Sequence, residues 1–189
     1  MHCNLAVMTV MFFATSSAFA QKDDWYTKAV KGVETVIEPA TAAPGQTVTF
    51  RVTVDLNENY HTYPAVQPDT KASNFVNTFT FPEPGNLIFV GSVIDPPKPD
   101  VKAEPLLGIK ELRTYHGKAV FERKAVVSPK AKAGEAKIEL KAFKLSVCDA
   151  DTCFPPKSLT PAATVTVKGD TVAVEKQFAA EVEKALSGK

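Results

Sequence analysis

The clearest pattern in the chain is a strict alternation of apolar and polar residues over Thr47–Leu56. Val48, Phe50, Val52, Val54 and Leu56 are apolar, with Thr49, Arg51, Thr53 and Asp55 between them. A period of two predicts a strand with one face buried and the other wet. Pro44-Gly45 supplies a turn before it, and residues 33–38 alternate more weakly, as a pairing neighbour would. Residues 75–81 read as another strand, closed by Pro82-Glu83-Pro84-Gly85. Leu87–Ile94 follows, closed by Asp95-Pro96-Pro97-Lys98-Pro99, and residues 119–127 form a further strand ending at Ser128-Pro129. Residues 101–113 show no clear period and are expected to be loop or short strand.

Residues 137–147 carry Ile138, Leu140 and Ala142 in one phase, then Phe143, Leu145 and Val147 in the other. The slip suggests a β-bulge, or a strand passing from one sheet to another. Residues 163–167 make the return strand, with Val165 and Val167 inside. Over residues 170–187 the period changes: Val174, Phe178, Val182 and Ala185 share one helical face, with Glu175, Lys176, Glu181 and Lys184 elsewhere. This predicts an amphipathic helix of about four turns docked on the domain or on a partner. Seven or eight short strands and 14 prolines at their junctions imply a mainly β fold, an immunoglobulin-like antiparallel β-sandwich with a C-terminal amphipathic helix. Residues 21–31 form a polar lead-in whose Trp25 and Tyr26 are expected to pack on the domain.

The N-terminus changes the picture. Residues 1–20 contain no Asp, Glu, Lys or Arg; residues 5–14 are mostly apolar, and Ala18-Phe19-Ala20 gives an A-x-A cleavage site before Gln21. This reads as a secretory signal peptide, which Cys3 would leave with, so the product is expected to be periplasmic or otherwise exported. The expected organisation is residues 1–20 signal, 21–169 sandwich domain and 170–189 helix. About 169 residues would remain, enough for one core. Their formal charge near +1 offers no footprint for nucleic acid or an anionic membrane. No later stretch reaches the length of a membrane span, so no membrane insertion of the mature chain is expected.

Candidate chemistry centres on Cys148-Asp149-Ala150-Asp151-Thr152-Cys153-Phe154-Pro155-Pro156. These would be the only cysteines of the exported chain, in a compartment where disulfides persist. Closing so small a ring contributes only ~2 kcal/mol in the chain-entropy model, so the pair suits a bond that is made and broken. CxxxxC spacing also fits a disulfide that merely pins a hairpin. Structural zinc usually takes four ligands, commonly with CxxC spacing, so a metal site suits the pair less well. Asp149 and Asp151 disfavour a thiolate here, making the pair a poor initiator of exchange but a serviceable recipient; simple turn chemistry explains them equally well. Pro155-Pro156 cannot join a central ladder and keeps Cys153 near an edge. His61 and His116 with the two cysteines raise a minority option, a Cys2His2-type copper or zinc site.

The loop resembles the N-terminal periplasmic domain of the thiol:disulfide interchange protein DsbD family, whose cysteine pair is also followed by an aromatic and two prolines. Asn59-Tyr60-His61-Thr62-Tyr63-Pro64 resembles that family's tyrosine-bearing segment, and Tyr115-His116-Gly117-Lys118 its cap loop. Together the matches cover roughly residues 30–168. The resemblance implies an immunoglobulin-like module passing electrons between a thioredoxin-like donor and exported disulfide proteins, with no cofactor. In it Cys153 would form the mixed disulfide and Cys148 resolve it. Tyr115 would be the cap aromatic, with His116, Tyr60, Tyr63 and Phe154 lining the site. The ring is one residue shorter than in the best-known members, and Arg113-Thr114 replaces an acidic pair. With no membrane or thioredoxin-like domain in the sequence, a thioredoxin-like or membrane electron-transfer partner is expected to act in trans. The competing readings are a binding or scaffold sandwich with a structural disulfide, or metal delivery.

Overall fold

The computed structural model describes residues 25–188; the signal peptide read over residues 1–20 lies outside them. The described residues open with a short helix, α1 (Trp25–Ala29), and then run largely as strands. These are β1 (Val30–Glu38), β2 (Thr41–Ala42), β3 (Thr47–Leu56), β4 (His61–Thr62), β5 (Thr78–Thr80), β6 (Leu87–Ile94) and β7 (Asp100–Glu104). There follow β8 (Ile109–His116), β9 (Lys118–Val127), β10 (Gly134–Glu139), β11 (Ala142–Leu145), β12 (Val147–Cys148), β13 (Lys157–Leu159) and β14 (Ala162–Val167). Helix α2 (Ala179–Ser187) ends the chain.

One sheet has the order β1-β3-β9-β6 and is antiparallel throughout. Three shorter sheets, β10-β14-β2, β13-β11-β5 and β12-β4-β8-β7, complete the molecule. Every second residue of β3 is buried, as its alternation predicts. Those side chains meet Phe121 from β9, Ile138 from β10, Phe143 and Leu145 from β11, and Val165 and Val167 from β14 in one core. The architecture is a mainly β, immunoglobulin-like sandwich with a C-terminal helix.

Three expectations need correction, and the one for residues 101–113 is sharpened. Residues 137–147 are not one strand: β10 pairs with β14, while β11 pairs with β13 and β5. The phase slip at Ala142/Phe143 therefore marks a crossing between sheets, so that Ile138 and Phe143 both reach the core. Residues 101–113 belong to a β7–β8 hairpin in the register Asp100↔Thr114 and Val101↔Arg113. No alternation announced β7 because its residues are almost all exposed and it has no buried face.

The strand expected over residues 75–81 shortens to β5, because Asn77 leaves the ladder for bonds described below. The C-terminal helix covers Ala179–Ser187 rather than all of 170–187. Upstream of it, the Val172 N–H donates to Pro44 C=O (2.8 Å), tethering an extended segment to the turn before β3. Gly45 permits that approach: its φ is 87°, and a Cβ there would lie 2.0 Å from the Val172 carbonyl oxygen. The apolar face still docks as expected. Val182 is buried against Ile88, Val90 and Val126, with Val174, Phe178 and Ala185 packed around it. Among the described residues no helix is long and apolar enough to cross a membrane.

Candidate functional site

The site is built on ladders of only two residue pairs. β12 pairs with β4 through Val147↔Thr62 and Cys148↔His61, and β4 pairs with β8 through His61↔His116 and Thr62↔Tyr115. Side chains in register across a sheet share a face, and successive residues alternate. Cys148, His61 and His116 therefore form one row, and Val147, Thr62 and Tyr115 the other. Val147 and Tyr115 join the main core. Cys148 instead belongs to a second buried cluster with Tyr63, Ala72, Ile109 and Leu112.

Cys148 and Cys153 are joined in a disulfide with Cα atoms 4.0 Å apart. The loop is closed locally. The Asp149 N–H donates to Thr152 C=O (2.9 Å), and the Phe154 N–H to Val147 C=O (3.0 Å). The Asp149 carboxylate accepts the N–H groups of Asp151 (2.9 Å) and Thr152 (2.7 Å). Those bonds, with a smaller pull from His61, hold its pKa below the usual carboxylate value. Asp149 is thus a turn-forming residue as well as a charge beside the sulfurs. Cys148 is only 3% exposed, whereas Cys153 is exposed.

Tyr63 stands over both sulfurs. Its hydroxyl donates to Cys148 Sγ at 2.8 Å and lies 3.6 Å from Cys153 Sγ. His61 Nε2 is 3.2 Å from the same hydroxyl. With the phenolic O–H donated to sulfur, the network calls for the Nε2–H tautomer of His61, donating to the Tyr63 oxygen. Burial, then the nearby His116 and Lys102, lowers the His61 pKa to about 4, against a weaker opposing pull from Asp149 and Glu104. Burial, then Glu104, raises the Tyr63 pKa to about 12. At neutral pH His61 is therefore uncharged, with a protonated Tyr63 phenol aimed at the buried sulfur.

Aromatic rings surround the loop. Phe154 stacks on Trp25 with centroids 5.2 Å apart and planes at 6°, and Tyr60 tilts against it at 6.1 Å. The His61 and His116 rings are 5.4 Å apart, and His116 Nδ1 lies 3.1 Å from Tyr60 C=O. Cys148, Cys153, Tyr60, Tyr63, His116 and Phe154 thus gather at one place. Tyr115 does not join them. It is 6% exposed in the main core, edge-on to Phe121 at 6.4 Å, because it alternates with His116 and faces the other side of β8. The aromatic over the sulfurs is Tyr63, two residues after Cys148's partner His61.

Trp25 and Asn77 also belong to the site's frame, although neither was named from the sequence as a site residue. Asn77 is buried; its Nδ2 donates to Tyr63 C=O (2.6 Å) and Thr62 Oγ1 (2.9 Å), and its Oδ1 accepts the Ser146 N–H (2.8 Å). Thr62 Oγ1 donates in turn to Ser146 C=O (2.8 Å). An asparagine inside an apparent strand, a position it disfavours, was the available signal. The two sulfurs bond each other here, and among the described residues no three His, Cys, Asp or Glu gather to hold an ion.

Fold and loop together define an immunoglobulin-like β-sandwich carrying a disulfide at the edge of a small sheet. Among solved structures, the chain is similar to the N-terminal periplasmic domain of ScsB from Proteus mirabilis, with 14% identity and a TM-score of 0.42. That match covers 82% of this chain and 51% of the other, so the chain spans about half the length of the ScsB chain. It is also similar to a chain of the type I cohesin–dockerin complex Coh-OlpA-Doc918 from Clostridium thermocellum, with 12% identity and a TM-score of 0.33, over 72% of this chain and 99% of the other. No family model matches the sequence, and no curated protein does.

Proposed function

We propose that this protein is an exported thiol–disulfide exchange module working through Cys148 and Cys153. The observation that carries the reading is the asymmetry of the pair: Cys153 is open to solvent, while Cys148 is buried under the Tyr63 hydroxyl at 2.8 Å. An incoming thiolate attacks Cys153 Sγ in line with the S–S bond. A mixed disulfide forms, and Cys148 Sγ leaves with the bonding electron pair. The Tyr63 O–H already points at that sulfur and stabilises the charge developing on it. A solvent proton then neutralises the Cys148 thiolate. A second thiol on the partner attacks the partner's own sulfur in the mixed disulfide and releases Cys153 as a thiolate, which also takes a proton. The pair has then gained two electrons and two protons; the reverse sequence reduces a target disulfide.

The chemistry asks for a thioredoxin-like dithiol protein or a membrane electron-transfer protein on one side, acting in trans, and an exported disulfide protein on the other. Residues 1–20 support a periplasmic or exported location. The stacked Trp25–Phe154 pair and Tyr60 lie beside the open Cys153 and offer a partner protein apolar contact that a small thiol does not make.

A second reading has its own observation. The buried Cys148 and the hydrogen-bonded ring also suit a hairpin staple, leaving a plain binding sandwich. Equilibration in dithiothreitol redox buffers separates the two. An exchange module gives a potential above about −300 mV, and a thioredoxin-like dithiol protein reduces it faster than dithiothreitol does. A potential below that value, with no acceleration by the protein dithiol, would overturn the proposal.

A further inference from the structure

The sandwich contains a charge where its pattern calls for an apolar residue. Along β9, Ala119, Phe121, Ala125 and Val127 face the main core, and Arg123 occupies the same face between them. It pairs across the sheet with Phe50. Its guanidinium lies 4.2 Å over the Phe81 ring and 5.8 Å from the Phe89 ring. Burial lowers its pKa, opposed by the charge of Glu181. That glutamate accepts the N–H of Gly91, a residue of the same cleft, at 3.0 Å and makes no ion pair with Arg123.

A guanidinium carries five N–H donors. Among the described residues, Arg123 makes no ion pair, and its hydrogen bond is a long one, Nε–H to Val90 C=O at 3.5 Å. In front of it lies an open cleft of about 370 Å³, lined by Phe79, Phe81 and Val93 with Ser92, Thr78 and Ala65 at its mouth. The cleft sits where two sheet edges fail to meet, β5 on one side and β6 on the other. Between Val90 and Ile94 the β6–β9 register slips, with Gly91 at φ 61°, so the edge turns away and leaves the space.

An inward cation that stacks on aromatics, has no carboxylate within ion-pair distance and faces an opening walled largely by apolar side chains is an arrangement that takes a planar anion. We propose that this cleft binds a small organic carboxylate with an aromatic or branched apolar body. The Arg123 fork would take the carboxylate, and Phe79, Phe81 and Val93 the body. The cleft does not include the sulfurs, although Asn77, which holds Tyr63, also lines it, and the proposal does not depend on the exchange reading.

Phenylacetate and its uncharged analogue phenylacetamide, titrated separately into the unaltered protein and followed by amide NMR shifts, test the idea. The expected result is saturable phenylacetate shifts centred on Thr78, Phe79, Gly91, Ser92 and Val93, with the amide at least about tenfold weaker. Equal binding of the two probes, no saturation, or shifts away from the cleft would overturn the assignment. Arg123→Met keeps length and apolar contact while removing the fork. It should lose the preference for the acid and melt no lower than the parent, since the charge it removes is partly buried and unpaired. A lower melting temperature with the preference intact would assign Arg123 to packing alone. Should that variant fail to fold, Arg123→Lys should retain the preference but weaken binding, and the two-probe comparison on the unaltered protein stands alone.

Discussion

The main core and the disulfide end of this molecule are held together in different ways. The main core is organised around β3, which is in register with β9 from Thr47↔Val126 to Asp55↔Lys118 and buries an apolar side chain at every second position. The disulfide end has ladders of two residues, β12 on β4 and β4 on β8, over a small cluster of Tyr63, Ala72, Ile109, Leu112 and Cys148. What that end lacks in ladder it makes up in side-chain hydrogen bonds through Asn77, Thr62 and Tyr63. Apolar burial is spread over many contacts, whereas a buried polar network fails at single atoms. The frame can therefore stay rigid while the site opens locally.

The largest effect is expected from breaking the frame. Phe121→Ala should cost about 4 kcal/mol of global stability, while the folded fraction keeps the parent's redox potential. Calorimetry and a redox titration on the same sample check both halves. Asn77→Ala should cost somewhat less, about 3 kcal/mol, by leaving Tyr63 C=O and the Ser146 N–H buried without partners. Its signature is local: hydrogen exchange should speed up at residues 61–63 and 146–148 before it does in β3 or β9. Uniform acceleration across both regions would erase the distinction drawn between them.

Tyr63→Phe removes the donor to Cys148 with little change in shape. We expect the rate of disulfide reduction to fall roughly tenfold, with a stability loss near 1 kcal/mol. Stopped-flow Trp25 fluorescence can follow the reaction, since Trp25 stacks on Phe154 next to the bond.

The pH dependence follows from His61. Its folded pKa, about 4, lies below the ordinary 6.5, so the unfolded chain takes the proton first. Its contribution to stability is therefore complete above about pH 6.5 and is lost as pH falls from there towards 4. His61→Gln should flatten that part of a denaturation-versus-pH curve. The smallest effect is Asp149→Asn, which keeps the oxygen that closes the turn; chemical denaturation should register a change within about 0.5 kcal/mol.

Legibility in the sequence followed the same division. β3 could be read to the residue because one face contrasts with the other, β6 as an apolar run closed by a proline-rich turn, and the cysteine–proline loop was evident from spacing alone. β7 could not, since neither of its faces is buried. The extended segment before α2 has helical spacing, but the Val172 bond to Pro44 holds it straight. At the site the two cysteines, Tyr60, Tyr63, His116 and Phe154 were legible. Tyr115 was misplaced by one step of alternation, which sends it to the core and brings His116 to the loop. Asn77 and Trp25 escaped because their partners lie far along the chain, at Ser146 and Phe154. Only tertiary pairing could reveal them.

The central claim is that the exposed sulfur is the one attacked. The direct measurement compares Cys148→Ala with Cys153→Ala, each incubated with a thioredoxin-like protein lacking its own resolving cysteine and preactivated as a mixed disulfide with a small aromatic thiol. The account predicts rapid accumulation of a protein–protein disulfide through Cys153 in the first variant and little or none through Cys148 in the second. Equal trapping by both, or trapping by neither, would contradict it.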